Sequence, residues 1–139
     1  MLDEKFRLPH VTVYEWGLGA SSGMFPMDYE GTAGCTYLVE KPGERAENEY
    51  VAERRSIIEE LARVGEVPDF LMMNCEGSES SILRCLAEHG VLHRFPQVLV
   101  QFHPPLLGER VCETVLEEWG VTHQLKWRWG WGWIYGEAR

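Results

Sequence analysis

The stretch Pro68–His103 reads PDFLMMNCEGSESSILRCLAEHGVLHRFPQVLVQFH, and it decides the fold class of this chain. Its short apolar run, Asp69–Met73, predicts a strand that is buried on both faces. Ser78–Glu88 places its apolar residues on one side and predicts a helix, and Gln97–His103 predicts a second strand that ends at two prolines. Strand, helix and strand in this order are typical of an α/β domain with a largely parallel sheet.

Flanking segments extend this alternation toward both ends of the chain. The β-branched and aromatic residues of Val11–Leu18 predict a strand, and the aromatic residues at alternating positions of His123–Tyr135 predict another. Apolar residues at helical spacing predict helices over Glu53–Val64, which Gly65 would end, and over Gly108–Trp119. The predicted elements therefore alternate between strands and helices along the chain.

One long stretch near the N-terminus lacks this periodicity. Ala20–Lys41 is rich in Gly, Ser and Pro, so we expect a surface loop region there, with a short strand at Cys35–Val39. At 139 residues, of which 45% are hydrophobic, the chain is long enough to bury one core without disulfides or metals. We expect a single α/β domain.

Composition excludes several classes of function. The net charge is −9, and an acidic chain without a basic run is a poor candidate for a nucleic-acid-binding protein. The four cysteines show no C-x-x-C pair, which favours reduced thiols. Apolar runs are too short to span a bilayer, and the charged first residues carry no secretion signal, so we expect a soluble intracellular protein.

Polar side chains follow the first strand of the deciding stretch. Asn74, Glu76 and Glu79 lie in the turn that joins this strand to the next helix, and ligands of open α/β sheets bind at such strand ends. Two carboxylates and an amide could orient a substrate or accept a proton there. Helix capping is the alternative, with Ser78 as the N-cap and Glu79 in the first turn, but it requires neither Asn74 nor Glu76.

The end of the second strand adds a histidine. Gln101 and His103 have the same parity, so alternation places them on one face, with Phe102 on the other. A histidine at the end of a parallel strand can act as a general base, because its ordinary pKa lies near neutrality. The alternative is a hydrogen-bonded structural histidine. Proximity to the Asn74–Glu79 turn would favour the functional interpretation.

Two other patterns have simpler structural explanations. Gly17–Gly23 resembles a dinucleotide-binding loop, but Pro26 and the glycines beyond it make the required helix improbable, so a glycine turn is the better interpretation. Cys85, His89 and His93 have metal-ligand spacing on a helix, but Gly90 interrupts the helix and no fourth ligand is evident. We therefore predict no metal site.

Aromatic residues are concentrated at the C-terminus. If the strand is regular, one face carries Trp127, Trp129, Trp131, Trp133 and Tyr135. Such a ladder could stack sugars or bases. We prefer a position in the core, because five exposed aromatic side chains would favour aggregation.

The stretch Pro68–His103 resembles the FkbM family of S-adenosylmethionine-dependent methyltransferases. The family pattern is a strand reading roughly D-L-L-K-I-[DN]-[IV]-E-G-x-E, then a helix, and later a strand like I-x-[VI]-[EQ]-[FI]-H. The residues that match it are Asp69, Phe70, Leu71, Asn74, Glu76, Gly77, Glu79, Gln101, Phe102 and His103. VTVYEWGLG upstream, and Thr122, His123 and Leu125 before the aromatic strand, also resemble the family.

This resemblance implies a fold, a reaction and a set of roles. The fold would be a partial Rossmann-like methyltransferase sheet, mostly parallel with an antiparallel C-terminal aromatic strand, in a single incomplete domain over residues 1–139. The reaction would be methyl transfer from S-adenosylmethionine to the oxygen of a small-molecule acceptor. His103 would be the general base, with Glu76 as second choice, and Asn74, Glu79 and Gln101 would bind substrate or cofactor.

The chain departs from the family at two points. Met72 stands where the family has a lysine, and the family's first two strands, which carry the cofactor's glycine turn, have no counterpart. Val11–Leu18 and Asp69–Met73 must then pair directly, or leave open edges that a partner chain or a second copy could cover. The alternative function is a non-catalytic subunit of methyltransferase fold that acts in protein–protein assembly.

Overall fold

The structure, a computed structural model, describes residues 9–30, 35–38, 50–103, 109–129 and 132–139. Its strands are β1 (Gly17–Gly19), β2 (Gly23–Glu30), β3 (Cys35–Leu38), β4 (Tyr50–Ser56), β5 (Phe70–Met73), β6 (Gln97–Gln101), β7 (His123–Trp129) and β8 (Trp133–Ala138). Its helices are α1 (Ile57–Val64), α2 (Glu79–Glu88) and α3 (Glu109–Thr122). Helices and sheets together confirm the α/β class at this coarse level. The predicted largely parallel arrangement is wrong, because two strand pairs are parallel and four are antiparallel among the described residues.

The C-terminal half builds a four-stranded sheet in the order β5-β6-β8-β7. β5 and β6 are parallel, and β8 is antiparallel to both of its neighbours, so β7 runs in the same direction as β6. Helices α2 and α3 contact each other and share a core with this sheet. Among the buried residues of that core are Ile82, Leu86, Val98, Val100, Val115, Trp119 and Ile134.

The N-terminal half builds a second mixed sheet in the order β1-β4-β2-β3. β1 is parallel to β4, and β2 is antiparallel to both β4 and β3. Ile57, the first residue of α1, is buried in the same core as α2 and α3. Within the described residues, no helix is long and apolar enough to cross a membrane.

The predicted strand Val11–Leu18 is mostly wrong, since only its last two residues belong to β1. Val11 and Val13 are more than half exposed. Side-chain contacts hold this segment in place of a backbone ladder: the Arg55 guanidinium lies 4.6 Å from the Trp16 ring centroid, and Arg63 stacks on Tyr14 at 5.9 Å. In the described residues Val11–Leu18 and Asp69–Met73 do not pair with each other, because β1 pairs with β4 and β5 pairs with β6. Of the two alternatives, the structure agrees with open edges, since β1 and β5 each end the strand order of their sheet in the part of the chain that the structure describes.

The loop and helix predictions between residues 20 and 64 need two corrections. β2 occupies Gly23–Glu30 where a loop was expected, because an antiparallel ladder to β4 satisfies its backbone, and β3 agrees with the short strand predicted there. Residues 53–56 of the predicted helix belong to β4, which is hydrogen-bonded on both sides, so α1 begins only at Ile57. Gly65 ends this helix as predicted, with φ at 83° and its N–H bonded to the Leu61 carbonyl.

Two predictions about the second sheet also change. β5 is a strand, as predicted, but Phe70 and Met72 are 46% and 56% exposed, so it is not buried on both faces. The predicted strand His123–Tyr135 is two antiparallel strands, β7 and β8. Gly132 precedes β8 with φ at 98°, and a Cβ there would lie 2.5 Å from the Phe102 carbonyl oxygen, so this close approach requires glycine.

Candidate functional site

The candidate site lies where the parallel strands β5 and β6 end. Met73 and Val100 are paired in register, so the residues that follow them leave the sheet at the same edge. From there the turn of residues 74–78 leads into α2, and His103 follows β6 by two residues. This topology brings together three of the predicted residues, Glu76, Glu79 and His103.

Glu79, the first residue of α2, makes the most hydrogen bonds of the residues at this site. Its side chain is fully buried, and its two oxygens accept the backbone N–H groups of Cys75 at 2.7 Å and Gly77 at 3.0 Å. These charge-assisted bonds compensate the burial of a carboxylate. Ser78 occupies the N-cap position, as predicted, but its side chain makes no capping hydrogen bond and its backbone is already helical. Glu79 itself closes the turn.

The turn holds an unusual backbone conformation at Glu76. Glu76 has φ at 47° and Gly77 has φ at 104°, so two successive residues lie in the left-handed region. A residue with a side chain, such as Glu76, adopts this conformation at an energetic cost, and the two backbone hydrogen bonds that Glu79 accepts offset this cost. The result is that the Glu76 carboxylate faces His103, with 3.3 Å between Oε1 and Nε2.

His103 is held between the two carboxylates. Its Nδ1 lies 2.9 Å from Oε1 of Glu79, and its side chain is only 16% exposed. Glu79 already accepts the backbone N–H groups of Cys75 and Gly77, and an ionised carboxylate can only accept hydrogen bonds, so we assign the hydrogen of this contact to Nδ1 of His103. In the neutral ring, Nε2 then keeps its lone pair. This is the geometry of a histidine oriented to act as a general base.

Asn74 and Gln101 are near the site but less fixed. Asn74 is exposed and Gln101 is half-buried, and neither side chain makes a hydrogen bond to another described residue. Phe102 is buried on the side opposite to Gln101 and His103, as alternation predicted. The Phe102 N–H donates to the Gly132 carbonyl at 3.0 Å, which anchors the backbone next to His103.

Cys75 belongs to the site although its sequence pattern did not single it out. Burial, together with the negative charges of Glu79 and Glu76, raises the pKa of the Cys75 thiol to about 11. The thiol is therefore protonated and a poor nucleophile near neutral pH. Its adjacency to Glu76 in the sequence was the one available signal.

His123 provides a structural comparison with His103. It is fully buried, and burial lowers its pKa, so the ring is neutral. Nε2 therefore donates to the Phe95 carbonyl at 2.9 Å, and Nδ1 accepts from the Thr122 hydroxyl at 2.8 Å. Both ring nitrogens are occupied within the fold, whereas His103 directs Nε2 toward an acidic, partly exposed turn.

The glycine and metal patterns take structural roles. No helix follows β1, and a Cβ at Gly19 would lie 2.3 Å from the Arg54 side chain, which itself donates to the Ser21 carbonyl. His89 Nδ1 lies 2.8 Å from the Cys85 carbonyl oxygen and 3.8 Å from Cys85 Sγ. In the described ranges no group of three or more His, Cys, Asp or Glu could hold a metal ion.

The aromatic ladder is not in the core. Trp127 is 47% exposed and Trp129 is 71% exposed, so the preferred core position is wrong for these two residues. Trp133 and Tyr135 are half-buried, and Trp131 lies outside the described residues. The register of β7 shifts between Leu125 and Trp127, and this shift turns Trp127 and Trp129 to the side of the sheet away from the helices. Simple alternation of residue types could not reveal it.

Comparison of the chain with models of protein families finds no match. Comparisons with curated proteins and with solved structures also find none. The geometry of the site, together with the sequence motifs that form it, is therefore the basis for a functional assignment.

Proposed function

We propose that the chain is the acceptor-activating part of an FkbM-like, S-adenosylmethionine-dependent O-methyltransferase, with His103 as the general base. One observation carries the proposal: His103 is oriented by the buried Glu79 and faces Glu76, at the ends of two parallel strands. These three residues are the ones that the FkbM motif supplies. Stability explains Glu79, which closes the turn, but it does not require Glu76 and His103 beside it.

The chemistry assigned to the site is proton removal from an acceptor hydroxyl. The hydroxyl would donate to Nε2 of His103, and the proton would pass to this nitrogen as the oxygen becomes nucleophilic. The imidazolium that forms would lie between Glu79 at 2.9 Å and Glu76 at 3.3 Å, which stabilises its charge. Glu79 thus positions the base, and Glu76 acts only after the proton arrives.

The strand order also supports this proposal. β5, β6 and β7 share one direction, and β8, the last strand in the chain, is inserted antiparallel between β6 and β7. Three strands in one direction around an antiparallel last strand are what the resemblance implies for this sheet, whereas the separate N-terminal mixed sheet is not part of that pattern. A Rossmann-like methyltransferase sheet is therefore part of the proposal.

The glycine segment around β1 does not fit the cofactor, so S-adenosylmethionine would have to bind at other residues. S-adenosylmethionine would need a strand, a glycine turn and a helix whose first amides face the ligand. Here the glycines of β1 lead into another strand, and the space at Gly19 is filled by Arg54. We therefore derive no step through the cofactor and assign only the acceptor side of the reaction.

A methyl-transfer assay tests the proposal. The chain would be incubated at pH 8 with S-adenosylmethionine labelled in the methyl group and with sugar and lipid alcohols as acceptors. We expect slow transfer that His103→Ala reduces by about 100-fold or more, the contribution of a general base. His93→Ala, at an exposed histidine, is the matched control and should keep the activity. Absence of labelled product, or equal product from His103→Ala, would contradict the proposal.

A second function is favoured by the exposed strand β5. Phe70 and Met72 are exposed, and β5 ends the sheet order in the described residues, as expected of a subunit whose sheet a partner chain completes. Native mass spectrometry with and without S-adenosylmethionine separates the two functions. A stoichiometric adduct that is lost in the double variant Glu76→Gln, His103→Ala supports the enzyme. An assembly that forms without any adduct supports the non-catalytic subunit.

A further inference from the structure

The sheet β5-β6-β8-β7 carries a continuous apolar surface on the side away from its helices. Residues paired in register share a face, and the buried members Val98, Val100 and Ile134 define the helix side. Their sequence neighbours therefore point the other way. The apolar members of this surface, called the open face, are Phe70, Met72, Leu99, Trp127, Trp129, Trp133 and Tyr135.

One row of the open face crosses all four strands. The register pairs Met72 with Leu99, Leu99 with Tyr135, and Tyr135 with Trp127. The rings of Trp127 and Tyr135 stack with 5.7 Å between centroids and 25° between planes, which makes this end of the row flat. Trp129 and Trp133 are paired in the next row and extend the flat surface.

The open face is as large as the largest apolar patch on an ordinary monomer. Phe70, Met72, Trp127 and Trp129 are 46%, 56%, 47% and 71% exposed. At roughly 200 Å² for each side chain, these four alone expose roughly 450 Å². The largest patch on a typical monomer is about 300–600 Å², and it is often a binding surface. Leu99, Trp133 and Tyr135 are half-buried and add to the area.

The charges beside this surface neutralise one another. Lys126 Nζ lies 3.1 Å from Glu137 Oε2, and Tyr135 donates its hydroxyl proton to Oε1 of the same carboxylate at 3.0 Å. The chain as a whole carries a charge of −9, so a neutral apolar surface is where a second copy meets least repulsion.

We propose that the open face is the interface of a two-fold homodimer, in which two copies pack sheet against sheet. A two-fold contact uses the same patch on both subunits, and facing sheets pack about 10 Å apart with their strands roughly aligned. A stable interface needs about 800 Å² from each partner. The apolar residues supply more than half of this area, and the polar residues Gln97, Gln101 and Glu137 on the same face add to it.

Other occupants fit this surface less well. A sugar or a base would use the aromatic half, but Met72, Leu99 and Phe70 offer no ring pair for stacking and no polar group. A nucleic acid would require unpaired cations, and Lys126 is already paired with Glu137. Two identical faces bury both the aromatic and the aliphatic parts together. This inference does not depend on the proposed catalytic role of His103.

Sedimentation velocity over 1–100 µM protein tests the proposal. We expect the wild-type chain to sediment as a species of twice its 16.0 kDa mass. Trp129→Glu should weaken the dimer by about 30-fold or more, because it places a charge on the most exposed aromatic residue of the face, and Trp129→Phe should retain it. Val121→Glu is the matched control, because Val121 is an equally exposed apolar residue, at 76%, that lies on α3 outside the open face.

Each outcome decides the question. A wild-type monomer at 100 µM would overturn the proposal and leave the face to another partner or to further chain. Equal dimerisation of Trp129→Glu, or dissociation by Val121→Glu, would place the contact elsewhere and overturn it as well. If Trp129→Glu is unfolded by circular dichroism, the Met72→Lys variant, at a 56% exposed position across the sheet, replaces it with the same expected dissociation.

Discussion

Replacing Glu79 should destabilise the whole fold, because this buried carboxylate closes the turn between β5 and α2. Glu79→Ala leaves the N–H groups of Cys75 and Gly77 without a partner and removes the acceptor for His103 Nδ1. A buried donor left unpaired costs about 1–3 kcal/mol, so we expect a loss of about 4 kcal/mol in the free energy of unfolding. Glu79→Gln keeps one acceptor oxygen, and we expect a loss of about 2 kcal/mol.

Urea unfolding followed by circular dichroism measures these losses. The matched control is Glu88→Ala, since Glu88 lies at the exposed C-terminal end of the same helix and should change the free energy by less than about 0.5 kcal/mol. A shift of about 4 kcal/mol corresponds to a fall of roughly 12 °C in the melting temperature of a chain of this size. If Glu79→Ala unfolds within 1 kcal/mol of the wild type, the turn is not held as described.

Two further predictions concern Cys75 and Gly132. Because the folded-state pKa of Cys75 is raised from 9.0 to about 11, its contribution to stability is complete below pH 9 and is lost as the pH rises toward 11. Cys75 should contribute about 3 kcal/mol to the decrease in the free energy of unfolding over this interval, and Cys75→Ala should remove that part; an unchanged pH dependence in the variant would exclude this cause. Gly132→Ala should cost about 1–3 kcal/mol more than Gly90→Ala, because both glycines have positive φ but only the former would bring a Cβ against the Phe102 carbonyl. Equal thermal shifts of the two glycine variants would show that this close approach is not constrained.

The sequence predicted the elements around the candidate site well, because their signals are local. The apolar run before Asn74 and the strand that precedes His103 are bounded by prolines or polar turns, and the helix between them has a clear apolar side. Parallel pairing of the two strands then brings Glu76 and His103 to one edge. The sequence predicted both strand ends but left open whether the two strands are neighbours, and the structure shows that they are.

The remaining differences arise from tertiary pairing, which local patterns do not encode. Residues 53–56 are polar and adjoin the helical spacing that begins at Ile57, but they pair with β1 and β2 on either side and so belong to β4. Ser78 is a residue type that commonly caps helices, yet Glu79 accepts the free backbone N–H groups of the turn, because its longer side chain is buried beneath that turn. The register shift near Lys126 reverses the facing of two tryptophans and is not visible in the alternation of residue types.

The central claim is that Glu79 fixes the ring of His103 with its proton on Nδ1, so that Nε2 is left to accept a proton. Two-bond ¹⁵N–¹H correlation spectra of the protein with labelled histidine, recorded where the ring is neutral, report directly which nitrogen carries the hydrogen. The 2.9 Å contact with Glu79 predicts the Nδ1–H form for His103, whereas His123 provides an internal reference with the hydrogen on Nε2. An Nε2–H form of His103 would contradict the claim, because the nitrogen that faces Glu76 could then not act as the base.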